Sequence, residues 1–301
     1  MLKTLPAFAR APAAPLLDVA RFEHDTPLGR FSYAEWRPAH LAPLVELFWY
    51  AQGTATFPRK RLFPNGRIEL LVNLGDPIRL VEGVGSPVLK SGWLSGLHAR
   101  PVVIECGGRT STLGIRLKPA GAFALVARPL RDISGWTLDL GDVVGRAAEE
   151  LAERCHEANS TDERFRRAAE WIEELTTRAA PGLASVAWTA ARIERSAGTA
   201  SIGALREEAG LSKNRLASAF RDQIGLAPKV YARIFRFQRL LSLIHAGAPS
   251  LAEAALDTGY YDQPHMTADF RELSGMAPRE FLAASRYTHT LSVAEAAPAR
   301  R

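Results

Sequence analysis

From about residue 16 to 118 the chain runs in short stretches where β-branched and aromatic residues partly alternate with polar ones. These are Arg30–Trp36, Leu44–Tyr50, Arg67–Leu74, Pro101–Cys106 and Thr110–Leu117. A period of two places successive side chains on opposite faces of a strand. Turn chemistry separates the stretches at Pro64-Asn65-Gly66, Asn73-Leu74-Gly75-Asp76-Pro77, Gly83-Val84-Gly85-Ser86-Pro87 and Gly107-Gly108. Short strands so spaced predict a sandwich or a small barrel.

Past Pro119 the period lengthens. Ala120–Ala127, Gly141–Glu157, Thr161–Arg178 and Gly182–Arg195 carry apolar residues every three or four positions, the pattern of amphipathic helices. Asn159-Ser160-Thr161 and Ala180-Pro181-Gly182 are breaks, and Ser196–Ala200 reads as a linker. The expected class is therefore α+β in two domains. Residues 1–15 form a Pro/Ala-rich arm and 16–180 a β-rich sensing or dimerising domain with a helical connector. An all-α domain covers 185–288, and 289–301 is a flexible tail.

The last third contains a repeat. Phe220-Arg-Asp-Gln-Ile-Gly-Leu-Ala-Pro-Lys-Val-Tyr231 returns as Phe270-Arg-Glu-Leu-Ser-Gly-Met-Ala-Pro-Arg-Glu-Phe281, and the offset extends back to Leu216 and Met266. One supersecondary unit is used twice. In the first copy Ser201 caps a helix that Gly210 closes, and Ser212 caps a second helix with Leu216 and Phe220 on its buried face. In the second, Ser250-Leu-Ala-Glu253 is a capping box, Gly259 closes the helix, and Asp262 caps the next, with Met266 and Phe270 inward. Pro264 is tolerated in the first turn. Val230–His245 links the copies. Two helices around a short glycine turn, with one buried stripe, make a helix-turn-helix.

Two such units in register, each followed by Gly-x-Ala-Pro and an aromatic, resemble the C-terminal DNA-binding domain of AraC/XylS-type transcription regulators over about 190–284. The most specific stretch is Gly259-Tyr-Tyr-Asp-Gln-Pro-His-Met-Thr-Ala-Asp-Phe270 through Gly275-Met-Ala-Pro278. The resemblance implies two recognition helices entering successive major-groove segments roughly 34 Å apart. Base-contacting positions carry over onto Asn214, Ala217 and Ser218, and onto Gln263, Pro264, Thr267 and Ala268. Ala217, Pro264 and Ala268 have no side-chain donor, so Asn214 and Gln263, which can pair bidentately with adenine, are the strongest readers. Lys213, Arg215, Arg221, Arg233, Arg236, Arg239, His265 and Arg271 are candidates for the DNA backbone.

Charge sharpens this division. Residues 201–240 hold eight basic and three acidic side chains, whereas 241–281 hold two basic and six acidic. Because phosphate neutralisation dominates affinity, the first copy and the linking helix are expected to grip and the second to select. Removing Arg236 should then flatten the salt dependence more than removing Gln263. The whole chain of 301 residues carries +6, with 47% hydrophobic and 23% charged residues, an ordinary globular composition that suits a polyanionic partner only weakly.

Two cysteines, Cys106 and Cys155, form neither a disulfide framework nor a zinc spacing, and no apolar run approaches a membrane span. The N-terminal segment makes a poor signal peptide, so a cytoplasmic protein with no metal, no cofactor and no membrane partner is expected. In the β-rich half, Trp36, Trp49, Trp93, His98 and Arg116 are candidates to line a ligand pocket. Glu69 is either an inward ligand contact or an outward edge charge. No nucleophile elbow, phosphate loop or dinucleotide fingerprint is present.

The expected function is sequence-specific transcription regulation on double-stranded DNA, under control of a small molecule in the N-terminal domain, and not catalysis. One rival is a regulator whose N-terminal domain only dimerises, as a homodimer, or binds a protein. The other is an alkyl-transfer repair enzyme, against which two distant cysteines argue. An activator would also meet RNA polymerase.

Overall fold

The computed structural model describes residues 16, 18–26, 29–56, 58–85, 88–89, 91–176, 184–246, 250–284, 288–289 and 292–295. The expected arm at 1–15 and the break at 180–182 lie outside them.

The strands of the β-rich region are β1 (Ala20–Thr26), β2 (Gly29–Trp36), β3 (Val45–Ala55), β4 (Arg59–Leu62), β5 (Ile68–Asn73), β6 (Ile78–Glu82), β7 (Val84–Gly85), β8 (Val88–Leu89), β9 (Gly92–Ser95), β10 (Val102–Glu105) and β11 (Gly108–Leu117). Helix α1 (Pro119–Val126) follows, then β12 (Trp136–Asp139), α2 (Leu140–Val144), α3 (Ala147–His156), α4 (Thr161–Thr176) and α5 (Ala184–Arg195). The repeat supplies α6 (Ile202–Glu208), α7 (Lys213–Ile224), α8 (Pro228–His245), α9 (Leu251–Asp257), α10 (Gln263–Ser274) and α11 (Pro278–Ala284). A hairpin, β13 (Thr288–His289) and β14 (Ser292–Glu295), comes last.

The strands make two sheets that do not close into a barrel. The larger has the order β1-β2-β3-β11-β5-β9-β12-β7 and the smaller β13-β14-β4-β10-β6-β8. Pairing is antiparallel except where β12 runs parallel to β7. Each expected strand matches an observed one to within a few residues. The short or charged strands β1, β4, β6, β7, β8, β9 and β12 lie outside the expected stretches and carry too few alternating positions to announce themselves. Part of the expected tail is extended structure, since Ser292–Glu295 pairs with Arg59–Leu62. The predicted helix 141–157 is two helices, because Gly145 ends α2 at φ 62 and turns the chain into α3.

The pleat sorts the larger sheet into two faces. Phe48, Tyr50, Leu70, Val72, Leu113 and Ile115 share one face, and the helices cover it, with Phe165, Trp171 and Ile193 buried in the same core. That core does not stop at the expected domain boundary. Leu205, Leu216, Phe220, Ile224 and Tyr231 of the first repeat unit belong to it. A second core joins Phe63, from the loop after β4, to Phe237, Met266, Phe270 and Phe281. Helix α8 therefore contributes to both cores. Both repeat units are packed onto the β-rich region through apolar burial, the non-directional term that dominates folding.

Candidate nucleic-acid interface

The first unit is built as its sequence dictates. Ser201 Oγ accepts the Ala204 N–H at 3.4 Å and Ser212 Oγ accepts the Arg215 N–H at 3.3 Å, so each helix begins with a side-chain cap. Gly210, at φ 64, makes the turn between them. Leu216, Phe220 and Ile224 form the buried stripe of α7, and the Phe220 ring meets Tyr231 edge-on with centroids 5.6 Å apart. The opposite face presents Lys213, Asn214, Arg215, Ser218 and Arg221 to solvent, with Ala217 half-buried between them.

The second unit repeats this construction. Ser250 Oγ accepts from Glu253 N at 3.1 Å, and Asp262 Oδ1 accepts from His265 N at 2.8 Å. Met266, Phe270 and Leu273 are buried, whereas Gln263, Pro264, His265, Ala268 and Arg271 are exposed and Thr267 is half-buried. The His265 ring packs on Tyr260 at 5.3 Å. Tyr261, 88% exposed at the turn into α10, is an aromatic on this face that sequence reasoning passed over. Its neighbour Tyr260 is buried, which leaves Tyr261 as the outward member of the pair.

The cations of the linking helix separate into two kinds. Arg239 is exposed, as are Lys213, Arg215, Arg221 and Arg271. Arg233 instead turns into the second unit, donating to Asp269 Oδ1 at 2.8 Å and Glu272 Oε2 at 2.6 Å. Burial works against this guanidinium, but its hydrogen bonds to Glu272 and Asp269 raise it above its ordinary value. Arg236 is half-buried and lies over the Tyr260 ring at 5.3 Å, with Nη1 donating to Gly259 O at 3.4 Å. Each step of three residues on a helix shifts the side chain by about a sixth of a turn, so Arg233 and Arg239 stand about a third of a turn apart and the three arginines cannot all meet one surface equally. Two of the acidic residues counted against the second unit thereby share one cation within the protein.

Of the ligand candidates, Trp36 belongs to the helix-covered face, where its ring stacks on Phe165 at 6.2 Å. Trp49, Glu69, Trp93 and Arg116 share the other face, as their cross-strand pairings require. There Trp49 Nε1 donates to Glu69 Oε1 at 3.4 Å and Arg116 Nε donates to the same oxygen at 2.9 Å. Burial opposes the Arg116 charge, but Glu69 holds it above its usual value. His98 lies 3.1 Å from Ser95 Oγ, and burial draws it down to about 4. Lys60 of β4 is also lowered by burial, with Cys106 and Glu69 near enough to oppose the shift, so this face looks toward the smaller sheet. Between Arg59 and Arg61 in the sequence, Lys60 reads as one more solvated cation.

A chain of polar contacts leads from this face to the linking helix. Arg116 Nη1 lies 3.7 Å from Glu46, and Arg67 bridges Glu46 at 3.0 Å and Glu194 at 2.7 Å. The Tyr231 hydroxyl donates to Glu194 Oε1 at 2.6 Å. Arg131 and Asp222 form a further ion pair between the β-rich region and α7. No local pattern announces contacts of such long sequence separation. The two thiols differ from an activated acceptor, since burial raises both and pushes Cys155 up to about 12. Among the described residues no helix is long and apolar enough to cross a membrane.

Comparison with known proteins agrees with this geometry. Residues 205–284 match a family described as a helix-turn-helix domain, and 37–139 match a domain of unknown function (DUF6597). No curated protein sequence matches the chain. Among solved structures, ToxT from Vibrio cholerae is 13% identical, with TM-score 0.45, over 78% of this chain and 98% of that one. The C-terminal domain of AraT, a response regulator from Geobacillus stearothermophilus, is 16% identical over 34% and 85%, with TM-score 0.32. CuxR, an AraC-like transcriptional activator, is 13% identical over 80% and 90%, with TM-score 0.29. Two capped helix pairs in register, with the family match across them, identify residues 205–284 as a helix-turn-helix domain of the AraC type, the module of DNA-binding transcription regulators.

Proposed function

We propose that the protein regulates transcription by reading a two-part DNA site, with α7 and α10 in successive major-groove segments. The observation that carries this reading is the same division on both helices: a buried apolar stripe behind a polar face, with exposed Asn214 and Ser218 on one and exposed Gln263 and half-buried Thr267 on the other. Asn214 and Gln263 read adenine, and Ser218 and Thr267 make shorter contacts. Ala217, Pro264 and Ala268 offer apolar surface to thymine methyl groups. Lys213, Arg215, Arg221, Arg239, His265 and Arg271 supply the phosphate grip. Arg236 contributes through its position on the Tyr260 ring.

The β-rich region receives a small-molecule effector in this reading. Its support is the polar cluster of Trp49, Glu69 and Arg116 on the sheet face turned away from the helices, joined through Glu46, Arg67 and Glu194 to Tyr231 on α8. ToxT has been solved with an unsaturated fatty acid bound, but that likeness is remote and the reading stands on this chain's side chains.

Selection of bound sequences from a random DNA pool by the full chain tests the DNA reading. Two enriched blocks about 10–10.5 bp apart are expected. Asn214→Ala and Gln263→Ala should each relax one block by about 1–3 kcal/mol of discrimination. No enrichment, or a single block indifferent to both substitutions, would sink it. Thermal-shift screening of the full chain tests the effector, since a ligand that binds the native state raises its apparent stability.

A further inference from the structure

The two sheets have four outer strands among the described residues, and three of them are too short to template another strand. Strands β7, β8 and β13 have two residues each, whereas β1, at the end of the larger sheet, has seven. Short edge strands are a common protection against association between sheets. Strand β1 has no such protection: it carries no proline, and its outer edge meets no strand among the described residues.

The hydrogen bonding of that edge follows from the register. Strands β1 and β2 meet at Thr26 and Gly29, three positions apart, where the connection is too short for any but a hydrogen-bonded pair. Hydrogen-bonded and non-hydrogen-bonded pairs alternate along an antiparallel ladder. Ala20, Phe22 and Thr26 therefore bond to β2, while Arg21, Glu23 and Asp25 turn their backbone N–H and C=O groups outward.

Charge then selects how two such edges can meet. When two β1 strands run antiparallel about a two-fold axis, outward residues must face outward residues. Centring on Arg21 or Glu23 sets like charges opposite each other, and centring on position 24 sets Glu23 against Asp25. Centring on Phe22 instead sets Arg21 opposite Glu23 twice, and Phe22 opposite its own counterpart. Opposite charges across strands stabilise a sheet and like charges destabilise it. Glu23 is exposed and enters no ion pair among the described residues, and Arg21, paired with Asp162 of α4, is still 55% exposed. Phe22 is 46% exposed and would stand at a non-hydrogen-bonded pair, where side chains come closest. Its ring begins a ladder, 6.3 Å from Tyr33, which in turn lies 6.1 Å from Trp49.

We propose that the protein forms a two-fold dimer by antiparallel pairing of β1 with β1 of a second copy, centred on Phe22. The two larger sheets then continue into one another, and the two aromatic ladders meet at the axis. A two-fold contact uses the same patch on both copies, which requires the self-complementary charge order that β1 has. The contact needs neither DNA nor an effector, so it is tested apart from the readings above.

Sedimentation equilibrium of the full chain, without DNA, should show a monomer–dimer equilibrium, the larger species having twice the 32.9 kDa of the chain. Glu23→Pro removes an outward N–H and no bond to β2, a place where an edge strand accepts proline. It should weaken dimerisation by about tenfold or more. The urea midpoint should stay unchanged at concentrations where the wild type is monomeric. Cross-linking reads the register independently. Under oxidised glutathione, Phe22→Cys should give a covalent dimer, and Glu23→Cys, which faces Arg21, should give far less. A monomer at every concentration, a dimer undiminished by Glu23→Pro, or equal cross-linking at the two positions would each overturn the proposal.

Discussion

Arg233→Ala distinguishes a cation that grips DNA from one that holds the protein together. Asp269 is only 9% exposed at its side chain and Arg233 is 27% exposed, so the substitution strands a carboxylate that water reaches poorly. Breaking a fully buried pair costs about 3–5 kcal/mol, and the partial exposure here reduces the expected loss to about 2–3 kcal/mol. Glu272 is 49% exposed and adds only what a surface pair does, about 0–1 kcal/mol. Urea denaturation of the full chain should show that loss, and Arg233→Met with Asp269→Leu should recover most of it, since an apolar pair of similar volume leaves no stranded charge. The slope of log affinity against log salt should stay that of the wild type, whereas Arg215→Ala should flatten it by about 0.9, the value of one phosphate contact. Stability within about 0.5 kcal/mol of wild type, together with a slope flattened as in Arg215→Ala, would refute the inward assignment.

Two further outcomes follow from the β-rich region. His98, held down to about 4 by burial, favours the neutral folded form. Its contribution is complete above its unfolded value near 6.5 and is lost as pH falls from there toward 4, in all about 3 kcal/mol. His98→Gln should flatten stability across that window, and parallel curves for the two proteins would count against it. Gly66 has φ 70, and a Cβ there would stand 2.7 Å from the Phe235 ring on α8. Gly66→Ala should therefore cost about 1–3 kcal/mol through backbone strain and a loosened contact with the linking helix, read by denaturation. An unchanged midpoint would mean that the loop is not seated on α8.

Much of the candidate interface was legible because its determinants are local. Ser212 and Asp262 cap the helices their positions announce, and Leu216, Phe220, Met266 and Phe270 are buried as a stripe of period four requires. A repeat at fixed offset doubles each of these signals. The five strands with clear alternation were legible for the same reason. Strands β1, β4, β6, β7, β8, β9 and β12 were not, because they are short or charged and exist through pairing, as β4 does with both β10 and β14.

The sequence by itself therefore determined that two helix-turn-helix units lie side by side behind exposed polar faces, since helix periodicity and capping act within a few residues. Tertiary structure alone decided which cations face outward, because Arg233 finds Asp269 and Glu272 only when α8 and α10 pack together. It also decided that Trp36 lies in the core while Trp49, Glu69 and Arg116 converge, a choice made by strand register. A cleft of about 350 Å³ has its walls on segments more than a hundred residues apart, Ile68 among them against Ile224 and Tyr231. Such a site is formed by burial and long-range pairing, which no local pattern encodes.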